Sequence, residues 1–346
     1  MAKERVRVIV VDDSAVFREL FSSILGRNPH IEVVATAVDA FDAREKIKKY
    51  DPDVITLDVE MPGMSGLEFL QKIMSLRPFP VIMCSSYTRE GADAAVQALS
   101  MGAVGVCAKP KLTNKAEVAE FTRFLCNKII GAAVASPKSS YGNPEHSAIA
   151  RHPKTRRYPK LVAIGASTGG PGALERLVTE LPADGPPVVV ALHMAPGFSD
   201  AYARRLASLS QIQVKEAEDN EAIKDGCVYI APSDRNMRVV SSNGERFCNI
   251  IEKDPSSAKH TPSVDTLFQS LCSLPSRELV AIMMTGMGND GAEAMLKLHA
   301  SGVHTIVQDQ DSCVVYGMPK CVIELGAANE IVALDDIAHR LLVAAY

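Results

Sequence analysis

Apolar runs of four to six residues alternate with amphipathic stretches along most of the chain, and this alternation predicts its architecture. Val6–Val11 is a continuous apolar-rich run, the pattern of a strand buried on both faces. Val16, Phe17, Leu20, Phe21, Ile24 and Leu25 then recur at helical spacing, with Gly26 where a C-terminal cap belongs. Further strands are predicted at Val33–Ala37, Val54–Leu57, Val81–Cys84 and Val104–Ala108, with helical patterns between them and a closing helix over Ala116–Ile130. Repeated strand–helix units of this kind predict a doubly wound, five-stranded parallel sheet over residues 1–131.

From residue 132 to 158 the pattern stops. A-S-P-K-S-S-Y-G-N-P-E-H-S has little to bury and predicts a flexible linker, followed by the cationic cluster Arg151–Arg157. Alternation resumes over 159–346. Strands are predicted at Leu161–Ile164, Val188–Leu192, Val228–Ile230, Leu279–Met284 and Thr305–Val307. Asn236–Val240 and Phe247–Ile251 flank Asn243-Gly244, a strong hairpin signal. The second domain is therefore α/β and mostly parallel, with an antiparallel hairpin.

Composition narrows the partners. The 346 residues carry a net charge of −4, which gives no global case for nucleic acid or for a membrane surface. No apolar run approaches the roughly 20 residues that span a bilayer, so direct membrane insertion is not expected. The charged start, M-A-K-E-R-V-R, has no signal-peptide pattern, and the eight scattered cysteines, mostly within apolar runs, are expected as buried free thiols in a cytoplasmic protein.

In parallel sheets, functional groups gather just past the carboxyl ends of the strands. In the first domain these positions hold Asp12, Asp13, Asp58, Ser85 and Lys109. Three carboxylates converging there repel one another unless they share a cation, and hard oxygen ligands with room for water suit Mg²⁺. A lysine opposite them can pair with a carboxylate or a phosphoryl group.

In the second domain, Leu161–Gly172 reads L-V-A-I-G-A-S-T-G-G-P-G, a strand, a tight turn and a helix start. Gly165–Gly169 fits the G-x-S-x-G nucleophile pattern around Ser167, although the same glycines also suit a phosphate loop. His193 follows the run P-V-V-V-A-L, and Asp290 follows a buried strand and a glycine-rich turn. A serine needs a neighbouring base, and the imidazole needs a carboxylate to fix its tautomer. Three strand-end placements together predict a Ser167–His193–Asp290 triad. A receiver joined to a non-catalytic nucleotide-binding or docking domain is the alternative. Against it, the G-x-x-x-x-G-K-[ST] lysine and a G-x-G-x-x-G arrangement are both missing. A DNA-binding C-terminal half would need a basic recognition helix, which is missing too.

V-D-D-S at Val11–Ser14, L-D-V-E-M-P-G at Leu57–Gly63, Ser85-Ser86 and Lys109-Pro110 resemble the receiver domain of bacterial response regulators. The resemblance implies that Asp58 accepts a phosphoryl group from a histidine kinase, that Asp12 and Asp13 hold Mg²⁺ with Asp58, and that Ser85 and Lys109 sense the phosphoryl group. Val106 stands where many receivers carry an aromatic switch residue. G-A-S-T-G-G-P, H-M-A-P-G-F-S, Y-I-A-P-S-D, P-S-V-D-T-L-F, T-G-M-G-N-D-G-A and Y-G-M-P resemble the catalytic domain of chemotaxis protein-glutamate methylesterases. That resemblance implies Ser167, His193 and Asp290 as catalytic residues, with oxyanion support around Thr168 and the backbone of Met287. It implies hydrolysis of glutamate γ-methyl esters on chemoreceptors and deamidation of receptor glutamines, with no cofactor at the hydrolase site. Ser233 stands where the family commonly has glycine, Asn236 where it has histidine, and Thr261 where it has arginine.

Overall fold

The computed structural model describes residues 5–86, 88–111, 115–135, 159–252 and 260–346. The chain divides into two compact units, Met1–Gly142 and Asn143–Tyr346. Most of the expected linker, and the whole Arg151–Arg157 cluster, lie outside the described residues.

The N-terminal unit runs β1 (Val6–Val11), α1 (Ala15–Gly26), β2 (Ile31–Ala37), α2 (Ala40–Tyr50), β3 (Val54–Asp58), α3 (Gly66–Leu76), β4 (Val81–Ser85), α4 (Arg89–Ser100), β5 (Gly105–Ala108) and α5 (Lys115–Ala133). Its strands pair in parallel in the order β2-β1-β3-β4-β5. The apolar runs fill the centre: Val8–Val11, Ile55, Leu57 and Val81–Met83 are buried. Helix starts are fixed by side chains as well as by burial. Asp39 accepts from the Phe41 and Asp42 amides, both at 2.8 Å, and Ser65 and Glu68 form a reciprocal capping box on α3. The closing helix α5 runs to Ala133, three residues past the predicted Ile130.

The C-terminal unit runs β6 (Leu161–Ala166), α6 (Gly170–Thr179), β7 (Val188–Leu192), α7 (Ser199–Leu209), β8 (Gln213–Glu216), β9 (Glu221–Ala222), β10 (Cys227–Ile230), β11 (Asn236–Ser242), β12 (Glu245–Ile251), α8 (Val264–Leu271), β13 (Leu279–Met283), α9 (Ala292–Ala300), β14 (His304–Gln308), α10 (Met318–Glu324), β15 (Glu330–Val332) and α11 (Leu334–Ala345). Seven strands form one parallel sheet in the order β15-β14-β13-β6-β7-β10-β8. The expected hairpin is β11–β12, and β9 extends it to a separate three-stranded antiparallel sheet. Asn243 (φ 52°) and Gly244 (φ 81°) both take positive φ, as a two-residue type I′ turn requires.

Strand β6 sits where the order reverses. The chain leaves it towards β7 on one side and returns through β13 on the other. Such a switch point opens a crevice at the carboxyl ends of the central strands. The β1/β3 junction is the same device in the N-terminal unit. Six of the eight cysteines are buried as expected, whereas Cys272 is exposed and Cys321 half-buried. Among the described residues, no helix is long and apolar enough to cross a membrane.

Candidate active site and phosphoacceptor site

In the C-terminal unit, the turn after β6 carries Ser167. Gly169, with φ 78°, ends that turn and stands at the N-cap of α6, and a Cβ there would lie 2.4 Å from Val314 Cβ. Only glycine satisfies both the left-handed backbone and the close approach. The backbone is then pinned from the β13 side, because Ser167 N–H donates to Thr285 O at 3.0 Å and Thr285 Oγ1 donates to Thr168 O at 3.0 Å. Thr285 N–H in turn donates to the buried Gln308 at 2.8 Å. With the Ser167 amide already occupied, the turn does not present the run of free N–H groups that a phosphate cradle needs.

The three predicted side chains meet. His193 Nδ1 lies 3.1 Å from Ser167 Oγ, and His193 Nε2 lies 2.7 Å from Asp290 Oδ2. Ser167 and His193 are only 5% and 7% exposed, so the relay is largely shielded from water. The ring is turned so that Nδ1 faces the serine, the reverse of the nitrogen usage in the familiar serine-protease template. The chemistry is indifferent to this reversal: one nitrogen accepts while the other donates.

Asp290 is held from a second direction. The first turn of α8 wraps it: Val264 N–H donates to Oδ2 at 2.8 Å, and Ser263 Oγ and Asp265 N–H donate to Oδ1, both at 3.1 Å. Burial pushes the Asp290 carboxyl up, but the His193 hydrogen bond and charge and these amides outweigh it. The carboxyl is held below the usual carboxylate range. Asp265 moves the other way, raised first by burial and then by the Asp290 charge. Asn236 Oδ1 accepts from Ser263 N–H at 2.8 Å and so anchors the whole turn. The P-S-V-D motif and Asn236 thus support the relay through Asp290, a part that their residue types alone do not reveal. The local pattern marks only a helix start, with Ser263 at the N-cap just before an apolar pattern of helical period, and not the contact with Asp290.

Ser233 also has a structural place. Ser233 Oγ accepts from Gly197 N–H at 3.0 Å and pairs with Ser199 Oγ at 3.0 Å, which ties the loop after His193 to the end of β10. Thr261 Oγ1 is buried without a hydrogen-bond partner among the described residues, and nothing in the structure explains that choice. The two remaining predicted residues, Thr168 and Met287, flank the crevice on the β6 and β13 turns. Neither N–H donates to a group among the described residues. Gly286 O, beside Met287, accepts from Gly317 and Met318 at 3.1 and 2.8 Å, so the Y-G-M-P loop braces this turn.

In the N-terminal unit, Asp12, Asp13 and Asp58 each bring a carboxylate oxygen into a group whose members lie within 4.8 Å of one another. Lys109 Nζ is 2.8 Å from both Asp12 Oδ2 and Asp58 Oδ2. Asp12 and Asp58 are buried, at 1% and 3% exposure, and Asp13 is exposed. Burial lifts the Asp58 carboxyl to about 6, against the pull of Lys109, and the Asp12 charge adds to the lift. One cation against two buried carboxylates leaves negative charge in excess. Asp12 Oδ2 has the Lys109 charge near it but no hydrogen bond of good direction. The donor set therefore fits a hard divalent cation, with the exposed side at Asp13 leaving room for water. Ser85 is buried at the end of β4, and its carbonyl accepts from Lys109 N–H at 2.8 Å, while its hydroxyl donates to Ser86 O at 3.3 Å. The Phe17 ring lies under Lys109, 4.8 Å from Nζ, and Val106 is buried in β5.

Comparison with known proteins decides the family. Residues 162–341 match the model of the CheB methylesterase family, and residues 8–119 match that of the response regulator receiver domain. The chain belongs to the CheB methylesterase family. A protein-glutamate methylesterase/protein-glutamine glutaminase of Pectobacterium atrosepticum is 42% identical over 338 residues, covering 98% of this chain and 96% of that one. One from Yersinia pseudotuberculosis is 42% identical over 339 residues, with the same coverage. The crystal structure of the Thermotoga maritima CheB methylesterase catalytic domain is 39% identical, with a TM-score of 0.51 over 53% of this chain and 97% of that one. The α/β architecture and the pairing of a receiver with a methylesterase unit are thus those expected of a CheB methylesterase.

Proposed function

We propose that this CheB methylesterase hydrolyses glutamate γ-methyl esters on chemoreceptors and deamidates receptor glutamines, under control of phosphorylation at Asp58. The observation that carries the reading is the relay Ser167–His193–Asp290 at the switch point of the sheet, with 3.1 and 2.7 Å links. In this reading Ser167 Oγ attacks the ester carbonyl as His193 Nδ1 takes its proton. Asp290, through Nε2–H, holds the tautomer and offsets the imidazolium charge. The carbonyl oxygen, now an oxyanion, accepts from the Thr168 and Met287 amides, each such donor being worth roughly 3 kcal/mol of barrier. His193 then returns the proton to the departing methanol, or to ammonia for an amide. Water attacks the acyl-serine by the same route and releases the glutamate carboxyl and free Ser167.

In the receiver unit, Asp58 is the phosphoacceptor and a histidine kinase of the chemotaxis pathway the donor. Asp12, Asp13 and Asp58 would hold Mg²⁺, whose charge, when bound, offsets that of the incoming phosphoryl group. Lys109 contacts the phosphoryl oxygens, and the Ser85 hydroxyl turns from Ser86 O towards them. Residues 1–131 form the regulatory domain, 132–158 the linker and 159–346 the catalytic domain, acting in the cytoplasm without nucleic acid or membrane insertion. The test is methanol release from methylated receptor membranes. Wild type is expected to release methanol and Ser167→Ala to release none; equal release by both would sink the reading.

A further inference from the structure

A second histidine lies against the relay. The His260 ring is stacked on His193, with centroids 4.5 Å apart and planes inclined by 18°. It stands three residues before Ser263, whose hydroxyl donates to Asp290 Oδ1 and whose amide is held by Asn236. One short segment thus touches both the carboxylate and the imidazole of the relay.

The His193 ring is tethered at Cγ and turns about its Cβ–Cγ bond. Turning carries Nδ1 and Nε2 off Ser167 and Asp290 together, and the two hydrogen bonds oppose it at the edge of the ring. A parallel ring at stacking distance opposes that motion. It also places π electron density over the ring as it becomes charged, an attraction that strengthens where water is excluded.

We infer that His260 is a positioning residue for the hydrolase reaction: through the face of its ring it holds the His193 imidazole in the plane that accepts the Ser167 proton. The inference rests on the proposed serine chemistry but not on the identity of the natural substrate. No hydrogen bond from His260 to substrate is part of it. The face alone matters, so another aromatic ring serves in its place.

The experiment uses the full-length chain and two probes that report on Ser167 directly, a fluorophosphonate and a small activated acetate ester. Wild type must first react with the fluorophosphonate at Ser167; if it does not, the serine chemistry itself is wrong and His260 is not the cause. Given that reaction, His260→Ala is expected to lower the fluorophosphonate rate constant and kcat for the ester about five- to tenfold, the upper part of the range of an aromatic contact. KM is expected to stay unchanged. His260→Phe is expected to return both rates to within about twofold of wild type. Thermal melting of all three proteins checks folding, and where His260→Ala fails to fold, His260→Phe carries the comparison. Wild-type rates in His260→Ala would overturn the inference. So would a His260→Phe rate as low as that of His260→Ala, or under about a tenth of wild type. A rise in KM with kcat unchanged would make His260 a substrate contact and equally overturn it.

Discussion

Replacing Asp290 by asparagine probes the relay where its geometry is most constrained. The carboxylate accepts four hydrogen bonds, from His193 Nε2 and Val264 N–H on one oxygen and from Ser263 Oγ and Asp265 N–H on the other. An amide has one acceptor oxygen. With that oxygen towards His193 and Val264, the NH₂ group faces Ser263 and Asp265. The Ser263 hydroxyl can turn and accept. The Asp265 amide cannot, and a buried donor left against a donor costs about 1–3 kcal/mol. For a unit of about 200 residues this corresponds to a melting temperature lower by about 2–12 °C. The kinetic effect is larger. A neutral amide no longer offsets the imidazolium that forms when His193 takes the proton. Charges spread over ring and carboxylate act across about 4 Å, and at an effective dielectric of about 20 the lost attraction is about 4 kcal/mol. That is about three powers of ten in rate. The assay is kcat for methanol release from methylated receptor membranes, alongside thermal melting of the same preparation. A rate above about a tenth of wild type would refute the argument that the Asp290 charge supports the reaction.

Acid should close the gap in stability between the two proteins. The Asp290 carboxyl is depressed in the fold. Its contribution is therefore fully present above the unfolded value near 3.9 and lost as pH falls through the lower folded value, so the melting difference between wild type and Asp290→Asn should narrow only below about pH 4. Gly165→Ala would place a Cβ 2.3 Å from Val264 Cγ1, in the turn that holds Asp290. A loss of about 1–3 kcal/mol by urea titration, with a lower kcat, is expected. A neutral outcome would show that α8 moves without disturbing the relay. Asp58→Asn should take up no label from a small phosphodonor, and chelation of divalent cations should abolish labelling of wild type; labelling of the variant at the wild-type rate would place the phosphoacceptor elsewhere.

The two central sheets were legible in the sequence because their strands are apolar on both faces. Val6–Val11, Val188–Leu192 and Leu279–Met283 are continuous runs, and the residues just beyond such runs are the ones the crevices use. The pattern was silent at β8, β9 and β15. Gln213–Glu216 and Glu330–Val332 are sheet edges that keep polar residues, and Glu221–Ala222 is a two-residue strand, so none has an apolar period to detect. The relay was legible in outline for the same strand-end reason. Its support was not. His260, Ser263 and Asn236 act across chain separations that no local period encodes, and only the fold brings α8, β11 and β13 to one point.

Ser233 and Asn236 show how two polar side chains outside the relay hold the loops that carry it. Glycine at 233 would remove the hydroxyl that accepts from Gly197 N–H and from Ser199 Oγ, in a loop that must hold His193 at the end of β7. The serine adds two bonds there and is itself fixed by Ser199 Oγ, which accepts from its amide at 2.9 Å. Asn236 answers to a stricter demand. A buried N–H at Ser263 needs an acceptor, and the asparagine carbonyl supplies one at 2.8 Å in any protonation state of its neighbours. A histidine nitrogen at the same place accepts only while it is unprotonated. Anchoring the α8 turn through an amide, which does not titrate, therefore keeps the cradle of Asp290 independent of pH at position 236.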